Sequence, residues 1–474
     1  MVLSCLTMLA YGQDRKARKY AKTITNEDLR SYLSVLASDS LEGRDTGSSG
    51  QKKAARFISG KFKEMGIDGP VKINPENPYY QPYELQKGTW QDIYVRRGDK
   101  VVSNLEGMLY FSRAETRGEE YMEVIYAGDG STMSDLMIEN KLVVTTNRDI
   151  NQLREQNSGT GVAGFVIINE NAEEVEFSIS RYSRFFSRPM ISSSFPLDGE
   201  KILVGDTTLA EMLFEKPYSE LKVGDQSFAI LNADMLIEPL RTENVLGFIE
   251  GSEKPEEVLV ITGHYDHLGM TDDGEIFNGA DDDASGTSGV IEVADAFAAA
   301  LKNGDRPRRS VLFMCVTGEE KGLLGSSHYV ENPIFPLENT VANLNIDMIG
   351  RIDEKHEDNP EYIYLIGSDK LSKELHQLSE TVNANTVDLE LDYTYNDEND
   401  PNRYYYRSDH YNFAKNDIPV IFYFNGTHVD YHKTTDTVEK INFDKMEKIV
   451  QLIFHTAWEI ANRKDRIKVD AETD

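Results

Sequence analysis

Residues 278–289 read Asn-Gly-Ala-Asp-Asp-Asp-Ala-Ser-Gly-Thr-Ser-Gly, and this stretch limits the possible fold more than any other. Asp281, Asp282 and Asp283 stand between small residues, and three carboxylates buried together lose solvation and repel one another unless a cation answers them. Beyond them Val290, Val293, Ala294, Phe297 and Leu301 recur at three- and four-residue steps, the spacing of one apolar helix face. The acids therefore sit just before a helix N-terminus, and the predicted order is strand, acidic loop, helix.

The strand is legible upstream. Residues 258–262 form an unbroken β-branched and aliphatic run that leads into Gly263-His264-Tyr265-Asp266-His267. A strand buried on both faces and ending in His-x-Asp delivers an imidazole with a carboxylate nearby, the usual way of fixing the tautomer of a metal-ligating histidine.

Strands and helices continue to alternate: strands at 258–262, 311–316, 341–346, 362–366 and 420–424, with helices from 285, from 323, at 370–382 and at 444–461. The pattern predicts an α/β fold, a three-layer sandwich in which helices flank a mostly parallel mixed sheet. Ligands of such sheets sit beyond the carboxyl ends of the strands. At those ends stand His264 and Asp266, Asp281, Glu319 and Glu320, Asp347, and His432. Together these hard oxygens and imidazole nitrogens suffice for two divalent metals sharing a carboxylate.

At 474 residues the chain is long enough for two domains. Main-domain signals occupy 25–111 and 227–465. Residues 112–226 change character: short strands and charged connectors without a histidine, read as an inserted smaller β-rich α/β domain. A formal charge of −31 argues against nucleic-acid or anionic-membrane partners, and two cysteines, Cys5 and Cys315, exclude a disulfide framework. No apolar run has the length of a membrane span. Residues 1–12 end in a small-x-small pattern, Ala10-Tyr11-Gly12, like the later part of a secretory signal peptide, so the expected destination is secreted or periplasmic.

The series Gly-His-Tyr-Asp-His-Leu-Gly from 263, Asn-Gly-Ala-Asp-Asp-Asp-Ala-Ser-Gly from 278, Thr-Gly-Glu-Glu-Lys-Gly from 317, Leu-Asn-Ile-Asp-Met-Ile-Gly-Arg from 344, Arg-Ser-Asp-His from 407 and Tyr-His-Lys-Thr-Thr-Asp-Thr from 431 resembles metallopeptidase family twenty-eight, the co-catalytic zinc exopeptidases. The 112–226 insertion resembles a protease-associated domain. The family resemblance implies two zinc ions per chain. Asp281 would bridge them, His264 and Asp347 would complete one site, and Glu320 and His432 the other. It further implies Glu319 as general base, Asp266 as the partner orienting His264, Asp409 as a supporting acid, a cis peptide after the bridging aspartate, and Tyr405 as a tyrosine that stabilises the oxyanion, with Tyr404 and Tyr406 as neighbours competing for that role.

His428 is the runner-up ligand to His432, whereas His267, His328, His356, His376 and His455 read as surface or packing residues. The acidic loop 392–400 lacks the spacing of a calcium loop. Neither an H-E-x-x-H helix nor a G-x-S-x-G elbow is present, which disfavours thermolysin-like and serine mechanisms.

The expected activity is hydrolysis of peptide substrates from the N-terminus, because acids (Asp282, Asp283, Asp409, Asp430) outnumber the bases Arg351, Arg403 and Arg407 that could hold a terminal carboxylate. The alternatives are a carboxypeptidase of the same family, a one-zinc acyltransferase of the glutaminyl cyclase type, and a non-catalytic ectodomain resembling the transferrin receptor.

Overall fold

A computed structural model describes residues 15–195 and 199–470. The expected signal segment lies outside the described residues. The chain forms two compact units, one made of the residues up to Tyr83 and from Arg241 onward, the other of Glu84–Leu240.

In the first unit the sheet order is Glu390–Asp392, Tyr362–Ile366, Val420–Phe424, Thr340–Ile346, Lys254–His264, Arg309–Val316, and the latter part of Gln226–Ile249. The four strands from Val420–Phe424 to Arg309–Val316 run parallel, and the pairings of Tyr362–Ile366 with Val420–Phe424 and of Gln226–Ile249 with Arg309–Val316 are antiparallel. Each parallel strand is buried along most of its length, which is why it reads in sequence as an apolar run rather than an alternation. Two strands of this sheet have no counterpart among those predicted: Glu390–Asp392, too short to carry a pattern, and the latter part of Gln226–Ile249.

The helix Ala284–Lys302 follows the acidic loop as predicted, and Asp283 caps it by accepting from the Gly286 amide at 2.8 Å. Its apolar face packs Phe297 between Phe313, Phe454 and Trp458, with ring centroids 5.9, 5.1 and 5.6 Å away. Removing that ring costs on the order of 3–5 kcal/mol in such a setting. Gly286 admits no side chain, because a Cβ there would lie 2.3 Å from the Ile346 carbonyl oxygen. The helix thus starts hard against the end of the neighbouring strand.

The loop 41–47 acts as a clamp. Arg44 is fully buried and donates to the carbonyls of Tyr265 (2.8 Å), Asn278 (2.7 Å) and Gly279 (3.0 Å), and to Leu36. One guanidinium therefore ties together the loop after Lys254–His264 and the acidic loop.

The second unit is longer than the predicted insertion, starting at Glu84 rather than 112 and ending at Leu240 rather than 226. The chain enters it within Tyr80–Arg97 and leaves within Gln226–Ile249. The outer parts of these strands bury Trp90, Ile93, Val95, Ala229, Leu231 and Met235 in this unit's own core, so their allegiance is set by packing that composition does not reveal. Its sheet has a parallel centre, Glu120–Tyr126, Lys141–Thr145, Gly164–Ile168 and Lys201–Gly205, with antiparallel neighbours on both sides. Cys315 is a buried free thiol in the first unit. Among the described residues, no helix is long and apolar enough to cross a membrane.

Candidate metal centre

His264 is the last residue of its strand. Its Nδ1 lies 3.1 Å from the backbone carbonyl oxygen of Asp266, and because a carbonyl only accepts, Nδ1 carries the proton and Nε2 is left as a lone-pair donor. That Nε2 faces Asp282 Oδ1 at 3.2 Å, Asp347 Oδ1 at 3.6 Å and Glu319 Oε2 at 3.8 Å. Asp347 follows the end of Thr340–Ile346, and its other oxygen accepts from Ser408 Oγ at 2.6 Å, a hydroxyl held in turn by Asn345 Nδ2 at 2.8 Å. One Asp347 oxygen is thereby spoken for, and the other is aimed at His264.

A second group adjoins the first. His432 Nε2 lies 3.0 Å from Asp282 Oδ2 and 3.3 Å from Glu320 Oε2, while His267 Nδ1 lies 2.7 Å from Glu320 Oε1. Asp282 therefore divides its two oxygens, one toward His264 and one toward His432, and is the carboxylate between the two groups.

This corrects the expectation for Asp281. Its carboxylate is turned elsewhere: Oδ1 accepts from the Gly350 amide at 2.6 Å, and Oδ2 accepts from Asn425 Nδ2 at 3.1 Å and lies 3.2 Å from His428 Nε2. His428, the runner-up ligand, is engaged there rather than at the metal centre. The three aspartates face three ways, since Asp283 accepts from the amides of His264 (3.1 Å), Gly286 and Met348 (3.0 Å). The cis peptide lies between Asp282 and Asp283, one bond beyond the expected place.

Asp266 contributes differently than expected. Its carboxylate is 3.9 Å from His264 Nδ1 and is used instead by the Glu319 amide (3.2 Å) and Thr46 Oγ1 (2.8 Å). It therefore fixes the backbone that carries Glu319. Burial pushes the Glu319 carboxyl well above the usual carboxylate range, with Glu320 and Asp347 adding repulsion against the opposing pull of His264. Burial acts on Asp282 in the same sense, but the pull of the His264, His432 and His267 imidazoles in their protonated form outweighs it and holds the group well below that range.

Asp282, Glu319, Glu320 and Asp347 have no lysine or arginine within 4.0 Å among the described residues; imidazoles are their only ionic partners. Two buried carboxylates, Asp282 and Asp347, beside two half-buried ones, Glu319 and Glu320, are costly without a fixed cation, so the site is built for positive charge from outside the chain. The donors, imidazole nitrogen and carboxylate oxygen in two adjoining sets, suit zinc.

Beside the centre lies a pocket walled by Met348, Tyr404, Phe422, Phe424 and Tyr431, with Arg407 at its lining. Tyr405, the expected oxyanion tyrosine, is not among these walls. Residues Tyr404–Tyr406 form one turn of 3₁₀-helix, whose three side chains point about 120° apart. Tyr404 faces the pocket, while Tyr405 packs near His410 and Tyr411, with ring centroids 5.6 and 5.9 Å away. Asp409 is fully buried and accepts from Ser326 Oγ at 2.5 Å, with its carboxyl pushed up to about 7 by burial. It touches no donor of the two metal groups, which corrects its expected place beside them; it anchors the start of the Leu324–Glu331 helix instead.

His267 is the residue that sequence reasoning missed. It has no spacing signal of its own, and only the fold brings Glu320 to it. His328 stacks on Tyr83 with ring centroids 4.6 Å apart, whereas His356, stacked on Tyr362 at 3.6 Å, also lies 2.7 Å from Asp353 Oδ1 and 3.2 Å from Asp392 Oδ2 and forms a third group of possible metal donors with Glu390 and Asp392, which the sequence did not indicate.

Residues 244–457 match the family model described as Peptidase family M28. The chain is 32% identical over 191 residues to a probable zinc metalloprotease of Leptosphaeria maculans, covering 38% of this chain and 42% of that protein. It is 38% identical over 112 residues to aminopeptidase NAALADL1 of Mus musculus, covering 23% of this chain and 14% of that protein. The matches thus span less than half the length of either curated relative. Among solved structures, an aminopeptidase from Aneurinibacillus sp. strain AM-1 has the same fold, with a TM-score of 0.59 at 17% identity over 96% of this chain and 98% of that one.

Proposed function

We propose that this chain, whose residues 244–457 match Peptidase family M28, hydrolyses peptide bonds as a zinc-dependent exopeptidase that removes N-terminal residues. The observation that carries the reading is the Asp282 carboxylate, with one oxygen 3.2 Å from His264 and the other 3.0 Å from His432. In this reading His264, Asp347 and Asp282 would hold one zinc, and His432, Glu320 and Asp282 would hold a second. Zinc supplies the Lewis acidity that makes water nucleophilic near neutral pH and polarises a scissile carbonyl.

The chain's own residues do the rest. Glu319 stands in one group with His264 and Asp347, its Oε2 3.8 Å from His264 Nε2, and in this reading it is the carboxylate of that group left free to act as base. It takes the proton of the attacking water and returns it to the leaving amine, a transfer that a buried carboxyl of raised proton affinity suits. Asp266 holds the Glu319 backbone in register. Tyr404 and Tyr431 line the pocket beside these donors.

His267 holds Glu320 by one oxygen so that the other stays turned toward His432. Replacing it, His267→Ala, is expected to weaken zinc binding about 10- to 100-fold, the scale for losing a group that orients a ligand. Competition against a chromophoric chelator measures this, and unchanged zinc affinity in a folded variant removes His267 from the metal centre.

A one-zinc acyltransferase or a non-catalytic ectodomain would not need two donor sets sharing a carboxylate. The choice of terminus is tested with a matched peptide pair, one N-acetylated and one C-amidated. An aminopeptidase is expected to spare the acetylated peptide and cut the amidated one. The reverse result makes the enzyme a carboxypeptidase.

A further inference from the structure

The sequence offered Asp283, Asp409 and Asp430 as acids that could hold a substrate ammonium, yet none is free to do so. Asp283 caps a helix and accepts three amides, and Asp409 is buried against Ser326. Asp430 is paired with Arg351 at 2.8 Å and with Lys440 at 2.7 Å. Arg351 is thereby occupied as well, with Asp436 a further 3.7 Å away.

Apart from the metal-centre residues themselves, the charged group lining the pocket is Arg407. Its guanidinium carbon lies 4.9 Å over the Tyr404 ring, and Nη2 donates to the Tyr431 hydroxyl at 3.3 Å. The Tyr431 ring is stacked on the His432 imidazole at 3.9 Å, so the guanidinium is held one ring away from a metal-centre donor. In a chain with 81 acidic residues against 50 basic ones, Arg407 has no carboxylate within 4.0 Å among the described residues. Arg407 is exposed, and its one hydrogen bond among the described residues is the Nη2 contact to Tyr431.

A planar, permanently charged fork held in place by aromatic rings, next to a reacting centre and lacking an acidic partner, is suited to a carboxylate. We propose that Arg407 is a specificity-determining residue that binds a substrate carboxylate close to the scissile bond. The preferred substrates are then short peptides with an anionic group there: either the free C-terminus of a dipeptide or an acidic N-terminal side chain. The inference rests on the exopeptidase reading above and specifies its substrate class.

The test compares three substrates on the zinc-loaded enzyme: Ala-Ala-amide with no carboxylate, Ala-Ala with a terminal one, and Glu-Ala-amide with a side-chain one. Wild type is expected to favour one of the two acids over the neutral amide by about tenfold to a hundredfold in kcat/KM, the scale of a charge-assisted contact. Which acid is favoured identifies the source of the carboxylate. In Arg407→Gln that ratio is expected to fall to about unity, mainly through KM, with zinc content unchanged. Arg407→Lys keeps the charge without the fork and is expected to retain part of the preference. Equal hydrolysis of all three substrates by wild type, or a preference that survives in Arg407→Gln, overturns the proposal while the exopeptidase reading stands. Cleavage of none of them overturns that reading, and this proposal with it.

Discussion

Glu319→Gln is expected to fold, to keep its zinc and to lose about a hundredfold or more in kcat, the scale of a positioned general base. The substitution is nearly isosteric, and the contact that places the residue is preserved, because Asp266 accepts from the Glu319 backbone amide at 3.2 Å rather than from its side chain. Neither Asp282 nor Glu320 depends on it. The loss therefore falls on proton transfer alone, with KM nearly unchanged. Steady-state kinetics with parallel metal analysis measures it, and turnover near that of wild type removes Glu319 from the mechanism.

The neighbouring aspartates are expected to separate cleanly. Asp282→Asn replaces a carboxylate that faces His264 with one oxygen and His432 with the other. It removes the shared charge and puts an amide N–H where one of two ligand oxygens is needed. Zinc binding should weaken by more than the roughly 10- to 100-fold typical of losing a mere orienting group, and activity should fall to background. Asp281→Asn keeps an acceptor for the Gly350 amide but can set its own amide against Asn425 Nδ2, a local cost of about 1–3 kcal/mol for an unsatisfied buried contact. That variant is expected to melt earlier while binding zinc as wild type does. Loss of zinc from Asp281→Asn with zinc retained in Asp282→Asn would restore the original assignment.

The contrast marks where sequence reading reaches its limit. The parallel strands were legible because each is buried on both faces and must be apolar throughout, and their ends then located His264, Glu319, Glu320, Asp347 and His432 on one edge of the sheet. Three consecutive aspartates defeat that logic. Outside a strand or helix no period says which side chain faces which way, and one residue of error exchanges a bridge between metal groups for an internal hydrogen-bond acceptor. Tyr404, Tyr405 and Tyr406 pose the same problem, with identical side chains on one turn and a single one facing the pocket. His267 was invisible for another reason: its role depends on Glu320, which is 53 residues away in the chain and reaches it only through the pairing of the two parallel strands. The unit boundaries moved for a similar reason, because Tyr80–Arg97 and Gln226–Ile249 are single strands that pass from one unit to the other without any change in composition.

The central claim is that two metals share Asp282. It is tested most directly by anomalous scattering at the zinc absorption edge from crystals of protein purified without chelator. The account predicts two peaks, one beside His264 and Asp347 and one beside Glu320 and His432, with the Asp282 carboxylate between them. A single peak, no peak, or a pair flanking Asp281 would contradict it.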